Sequence, residues 1–86
     1  MSAYTVTFAR SAQKELESLN HQMIKRIITK LENLSTHPRP IGCIKLQGNN
    51  DLWRIRIGDY RIVYSIDDKH HFVDVNRIRH RRDAYQ

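Results

Sequence analysis

The hydrophobic period of this chain changes twice, and that constrains its fold more than any other feature. At the start it is two. Tyr4, Val6 and Phe8 alternate with Thr5 and Thr7, so β-branched and aromatic residues share one side of a predicted strand. From about Ala9 the period lengthens. Phe8, Ala12, Leu16 and Leu19 fall at helical spacing, with Arg10, Lys14, Glu15 and Glu17 elsewhere on the wheel. Asn20 is expected to break this first helix, because Asn tolerates the left-handed conformation of a helix end. A second helix follows, with Met23, Ile24, Ile27, Ile28, Leu31 and Leu34 in one apolar stripe and Lys25, Arg26, Lys30 and Glu32 opposite. Ser35-Thr36-His37-Pro38 stops it, since a residue before proline avoids the helical region.

The period then returns to two. Ile44 and Leu46 flank Lys45 in a short strand, and Gly48-Asn49-Asn50-Asp51 is a turn signal. Trp53, Ile55 and Ile57 alternate with Arg54 and Arg56. Gly58-Asp59 follows, then Tyr60, Ile62 and Tyr64 alternate with Arg61, Val63 and Ser65. Asp67-Asp68-Lys69 turns the chain into a last strand over residues 71–78. The pattern predicts an α+β fold, β-α-α-β-β-β, with the short stretch at Ile44 leading into the meander. Two N-terminal helices pack on one face of a small, mainly antiparallel twisted sheet, and the other face stays open. With 86 residues, the expectation is one domain spanning 1–86.

Gly58-Asp59 between two alternating runs suits a two-residue hairpin turn. That turn sets Ile57 opposite Tyr60, Arg56 opposite Arg61, Ile55 opposite Ile62, Arg54 opposite Val63 and Trp53 opposite Tyr64. Trp53, Ile55, Ile57, Tyr60, Ile62 and Tyr64 form the core face; Arg54, Arg56 and Arg61 form the other. Like charges directly opposite destabilise a sheet. A bound polyanion removes that repulsion, and the arginine fork grips phosphate bidentately. A plain solvated face on a basic protein fits the same three residues.

The C-terminus tips the balance. Residues 77–82 hold four arginines, Arg77, Arg79, Arg81 and Arg82, together with His80, and Tyr85 follows in a polar segment. The phase of this strand is ambiguous: Arg77 and Arg79 share a phase with Val73 and Val75, while the alternative phase holds Asp74 and Asn76. A β-bulge would resolve the conflict. Tyr85 can stack on a base or carry a proton, or simply cover a sheet edge. His80 is a proton carrier or a polar surface residue. The formal net charge of +6 favours acidic partners, nucleic acid among them.

Other chemistries find little support. Cys43 is the only cysteine, so no internal disulfide is available. The first residues carry no basic-then-apolar leader pattern, and no apolar run approaches the roughly 20 residues of a membrane helix. A cytoplasmic location is expected, with no membrane partner. The histidines lack the spacing of a zinc site, and the three glycines are isolated, so neither a metal nor a small-molecule cofactor is expected.

The run Lys45-Leu46, a turn, then Leu52-Trp53-Arg54-Ile55-Arg56-Ile57-Gly58-Asp59-Tyr60-Arg61-Ile62-Val63-Tyr64 resembles the central signature of the RelE/ParE toxin superfamily. Arg79-His80-Arg81-Arg82-Asp83-Ala84-Tyr85 resembles the RelE-type terminus, and Phe8-x-x-x-Ala12-x-Lys14-x-Leu16-x-x-Leu19 fits as well. The resemblance covers nearly the whole chain in order. It implies a RelE-like fold and a ribosome-dependent mRNA endonuclease, the toxin of a type II toxin–antitoxin pair. Such an enzyme enters the ribosomal A site, and the 2′-hydroxyl of the message attacks the adjacent phosphate without a metal. A cognate RelB-like antitoxin is the implied partner, alongside the ribosome and mRNA.

Carried over by position, the resemblance assigns Arg61 and Arg79 to the phosphate and Tyr85 to stacking or to the general base, with His80 in reserve. Arg54 and Arg56 stand where the family often has lysine. Arginine stays protonated, so these two bind and stabilise and cannot serve as the base. Arg77, Arg81 and Lys45 are further RNA-binding cations. A tyrosine base needs a lowered pKa, and neighbouring arginines push that way. Two other readings stay open: a ParE-like inhibitor of DNA gyrase that cuts nothing, and a non-catalytic RNA- or ribosome-binding domain.

Overall fold

A computed structural model describes residues 3–48 and 51–82. The elements run β1 (Thr5–Phe8), α1 (Arg10–Glu17), α2 (His21–Leu34), β2 (Ile44–Lys45), β3 (Leu52–Ile57), β4 (Tyr60–Asp67) and β5 (Phe72–His80). The strands make one five-stranded sheet in the order β1-β5-β4-β3-β2. All neighbours are antiparallel except β1 and β5, which run parallel. The short stretch at Ile44 is thus a strand of the sheet, pairing with Trp53 and Arg54.

The helices form where the apolar spacing predicts. Ala12 and Leu16 are the buried residues of α1, and Ile27, Leu31 and Leu34 those of α2. With Ile55, Ile57, Ile62, Tyr64, Ile66, Val73, Val75 and Ile78 from the sheet they make one cluster. Tyr64, fully buried, donates its hydroxyl to the Pro38 carbonyl at 2.8 Å, which anchors the loop after α2. Burial pushes that phenol's pKa well above its ordinary value. Among the described residues no helix is long and apolar enough to cross a membrane.

One expectation is corrected. Asn20 does not end α1 in a left-handed conformation. Its backbone is extended (φ −71°, ψ 162°), and its side chain accepts a hydrogen bond from the Met23 amide at 2.9 Å. It is the N-cap of α2, and Ser18 closes α1. The two helices therefore meet with hardly a linker between them, so both can dock on a sheet this small.

The loop 35–43 is fastened to the far end of the sheet. Arg39 makes a two-point contact with Asp68 at 2.8 and 3.2 Å, and the Tyr4 hydroxyl donates to the same carboxylate at 2.6 Å. The hydrogen bonds from Arg39 and then Tyr4 hold the Asp68 carboxyl at about 2, below its usual range.

Candidate functional site

The predicted hairpin register is the observed one, pair by pair, from Ile57–Tyr60 to Trp53–Tyr64. Gly58 takes φ +57° while Asp59 stays at negative φ, so the turn matches the primed type with glycine at its first central position. Arg54, Arg56 and Arg61 consequently share the face away from the core.

The ambiguous phase of β5 is settled by a bulge. Tyr64 pairs with Val75, but Val63 pairs with Arg77, so Asn76 is the extra residue. Before it, Val73 and Val75 are buried; after it, Ile78 is buried and Arg77 and Arg79 are exposed. The bulge falls where β1 stops pairing, at Phe8–Val75, and where α1 begins to run beside β5. One inserted residue thus moves Arg77 and Arg79 onto the arginine face.

Two rows of side chains result. Arg56, Arg61 and Arg79 stand in register across β3, β4 and β5. Beside them runs the row Arg54, Val63 and Arg77. Arg61 and Arg54 are half-buried; Arg56, Arg77 and Arg79 are exposed. A small cleft of about 230 Å³ opens at the hairpin end of this face, lined by Arg56, Gly58, Asp59, Arg61 and Arg81. Arg81 is held there by its backbone amide, which donates to the Asp59 carbonyl at 2.7 Å. Its side chain lies 4.0 Å from the Asp59 carboxylate, an exposed and weak pairing. Arg79 Nε lies 3.1 Å from Glu15 Oε2 in an ion pair.

The opposite end of the same face is acidic. A cleft of about 710 Å³ is lined by Asp51, Asp67, Asp68 and Asp74 with Thr7, Ser65 and Phe72 among its neighbours. The face is therefore polarised, and a phosphate chain is attracted to its arginine end only. That end places several guanidinium groups on one patch, and such groups can hold a phosphodiester and stabilise added negative charge on it.

Two sequence-predicted site residues lie elsewhere. His80 pairs with Tyr60, in phase with Ile62 and Ile78, which places it on the helix side of the sheet. Its ring meets the Tyr60 ring edge-on at 5.2 Å, and its Nδ1 accepts from the Arg82 amide at 3.2 Å. The bulge that brings Arg79 to the arginine face carries His80 away from it, so His80 does not join the row. Lys45 pairs with Trp53 and holds its ammonium 5.9 Å from that ring, again on the helix side. Tyr85 lies outside the described residues. The residue that sequence reading missed is Glu15; its only signal was a position one residue before the buried Leu16.

Comparison with known proteins gives a consistent family. The model for the ParE toxin of type II toxin–antitoxin systems matches residues 6–85. Toxin RelG of Mycobacterium tuberculosis is 31% identical over 84 residues, covering 96% of this chain and 97% of that protein. Toxin RelE of the same organism is 33% identical over 84 residues, covering 98% and 84%. Among solved structures, the archaeal RelE–RelB complex from Pyrococcus horikoshii superposes with TM-score 0.83 at 31% identity, covering 92% of this chain and 96% of that one. The isolated E. coli RelE toxin gives TM-score 0.81 at 29% identity, covering 91% and 84%.

Proposed function

This chain belongs to the RelE/ParE superfamily of type II toxin–antitoxin toxins, and on that premise we propose that it is an endoribonuclease cutting mRNA in the ribosomal A site. The observation that carries the reading is the cross-strand row Arg56–Arg61–Arg79, completed by the bulge at Asn76. Strand cleavage by a neighbouring 2′-hydroxyl needs three things: a base for that hydroxyl, cations for the charge that builds on the phosphorus oxygens, and an acid for the departing 5′-oxygen. The row supplies the cations. Arg61 and Arg79 grip the scissile phosphate, and Arg56 and Arg54 add positive charge beside it. Arg77 and Arg81 extend the patch along the RNA backbone. None of these can accept a proton, because guanidinium groups stay charged. Tyr85 is the proton carrier in this proposal. His80 and Lys45, on the opposite face, take no part in the chemistry.

The partner in this reading is an RelB-like antitoxin. Archaeal RelE is found in complex with RelB, and so is E. coli RelE. An acidic or wrapping protein over the arginine face would block RNA. The matched family description names the ParE toxin, which keeps gyrase inhibition as the competing reading; the RelE and RelG names of the relatives favour the nuclease. Adding purified protein to a translating message, with gyrase supercoiling assayed in parallel, separates them. Cut message with active gyrase supports the proposal, and intact message with inhibited gyrase refutes it.

A further inference from the structure

We infer that Glu15 is a positioning residue for the cleavage step, aiming Arg79 at the scissile phosphate; this rests on the nuclease reading above. Glu15 reaches the arginine face from α1. Docking Ala12 and Leu16 into the core sets the rotation of that helix, and Glu15, three residues after Ala12, then overhangs the edge of β5. Its Oε2 lies 3.1 Å from Arg79 Nε in an ion pair. A guanidinium held at Nε keeps the four N–H bonds of its two Nη nitrogens for another anion, in a fixed plane. An arginine gripped at both Nη nitrogens would have little left for phosphate.

The need for such a grip follows from the row itself. Arg79 stands directly opposite Arg61, which in turn stands opposite Arg56. Repulsion drives an exposed guanidinium at the end of the row outward, and Arg79 is the end residue on the β5 side. Glu15 is the carboxylate that draws it back. As a stabilising contact alone Glu15 is a poor choice. Its Oε1 is buried and accepts no hydrogen bond among the described residues, which costs free energy that an apolar side chain would not incur. A group kept at such a cost fits a role in orienting Arg79 better than a role in holding the fold.

The test uses the full chain, translating ribosomes and a message with a mapped cut position. Single-turnover cleavage is measured on that message. Binding is measured on the same message carrying a 2′-deoxy nucleotide at the cut. Glu15→Ala is expected to slow cleavage about 10- to 100-fold, since a misaimed catalytic group loses that much, with binding unchanged or tighter because a negative charge is gone. Glu15→Gln, which keeps an acceptor for Nε, is expected to recover part of the rate. Introducing Glu15→Ala into Arg79→Ala is expected to cost nothing further. Cleavage by Glu15→Ala at the wild-type rate overturns the inference alone. So does the same fold loss in the Arg79→Ala background, or a loss confined to binding. If Glu15→Ala does not fold, Glu15→Leu, which fills similar space without an acceptor, carries the same comparison. A wild-type protein that cuts no message overturns the nuclease reading and this role with it.

Discussion

Arg61 and Arg79 stand directly opposite each other across β4 and β5, in register on the sheet face that the helices leave open. A protein gains nothing in stability from that arrangement. On the proposed reading the pair serves as a phosphate clamp. The register that creates it depends on the hairpin turn at Gly58-Asp59 and on the single extra residue Asn76, and each can be tested separately.

Deleting Asn76 should leave β5 strictly alternating with its faces kept: Val75 and Ile78 stay in the core, and Arg77 and Arg79 stay on the open face. A slip of one residue would reverse every side chain beyond it, and uncompensated charge in a core costs more than about 3 kcal/mol. Urea denaturation should therefore show a chain that still folds, with a loss well below that figure. A deletion variant that is unfolded, or destabilised by that much, would contradict the placement of the extra residue.

His80 offers a test of which face matters. Its ring packs on Tyr60 on the helix side, away from Arg61 and Arg79. His80→Ala should therefore keep message cleavage within about threefold of wild type, whereas Arg61→Ala should lose on the order of 100-fold or more, as removal of a charge-stabilising donor does. A His80→Ala loss as deep as that of Arg61→Ala would return His80 to the chemistry.

Acid should weaken the clip between the loop 35–43 and the sheet. Arg39 and Tyr4 hold Asp68 at about 2 in the folded chain, below its unfolded value near 3.9. A depressed folded value means the contribution is complete above pH 4 and is lost as pH falls through that window toward 2. The site is exposed, so salt screens it. Melting temperature followed from pH 5 to pH 2 should fall less steeply in Asp68→Asn than in wild type, and the difference should shrink in high salt. Parallel curves for the two proteins would count against the clip.

Asn20→Ala removes the N-cap hydrogen bond to Met23 and should cost about 1 kcal/mol in chemical denaturation. The substitution changes no arginine, so cleavage at a temperature where the variant stays folded should match wild type. Unchanged stability would mean that the cap contributes nothing.

The hairpin was legible because its information is local. A Gly-Asp pair between two alternating runs determines the pairing of Arg56 with Arg61 with no reference to the rest of the chain. The position of β5 was not legible in the same way. Its period is broken by one residue, and nothing local marks Asn76 as that residue. The break is set by tertiary context: β1 ends at Phe8, and α1 takes its place along the β5 edge. The faces of Arg79 and His80 both followed from that one choice. Asn20 was misread for a related reason, since Asn serves a helix end and a helix start equally well, and the closeness of α1 and α2 decided between them. Glu15 resembled any solvent-facing charge on α1 until its helix was docked.

The central claim is that the arginine row cuts RNA, and primer extension on a message translated in the presence of the purified protein tests it most directly. The account predicts discrete cuts in phase with the codons. Arg79→Ala should lose them by on the order of 100-fold or more, and Tyr85→Phe should lose them too. An intact message, with DNA gyrase supercoiling inhibited by the same preparation, would contradict it.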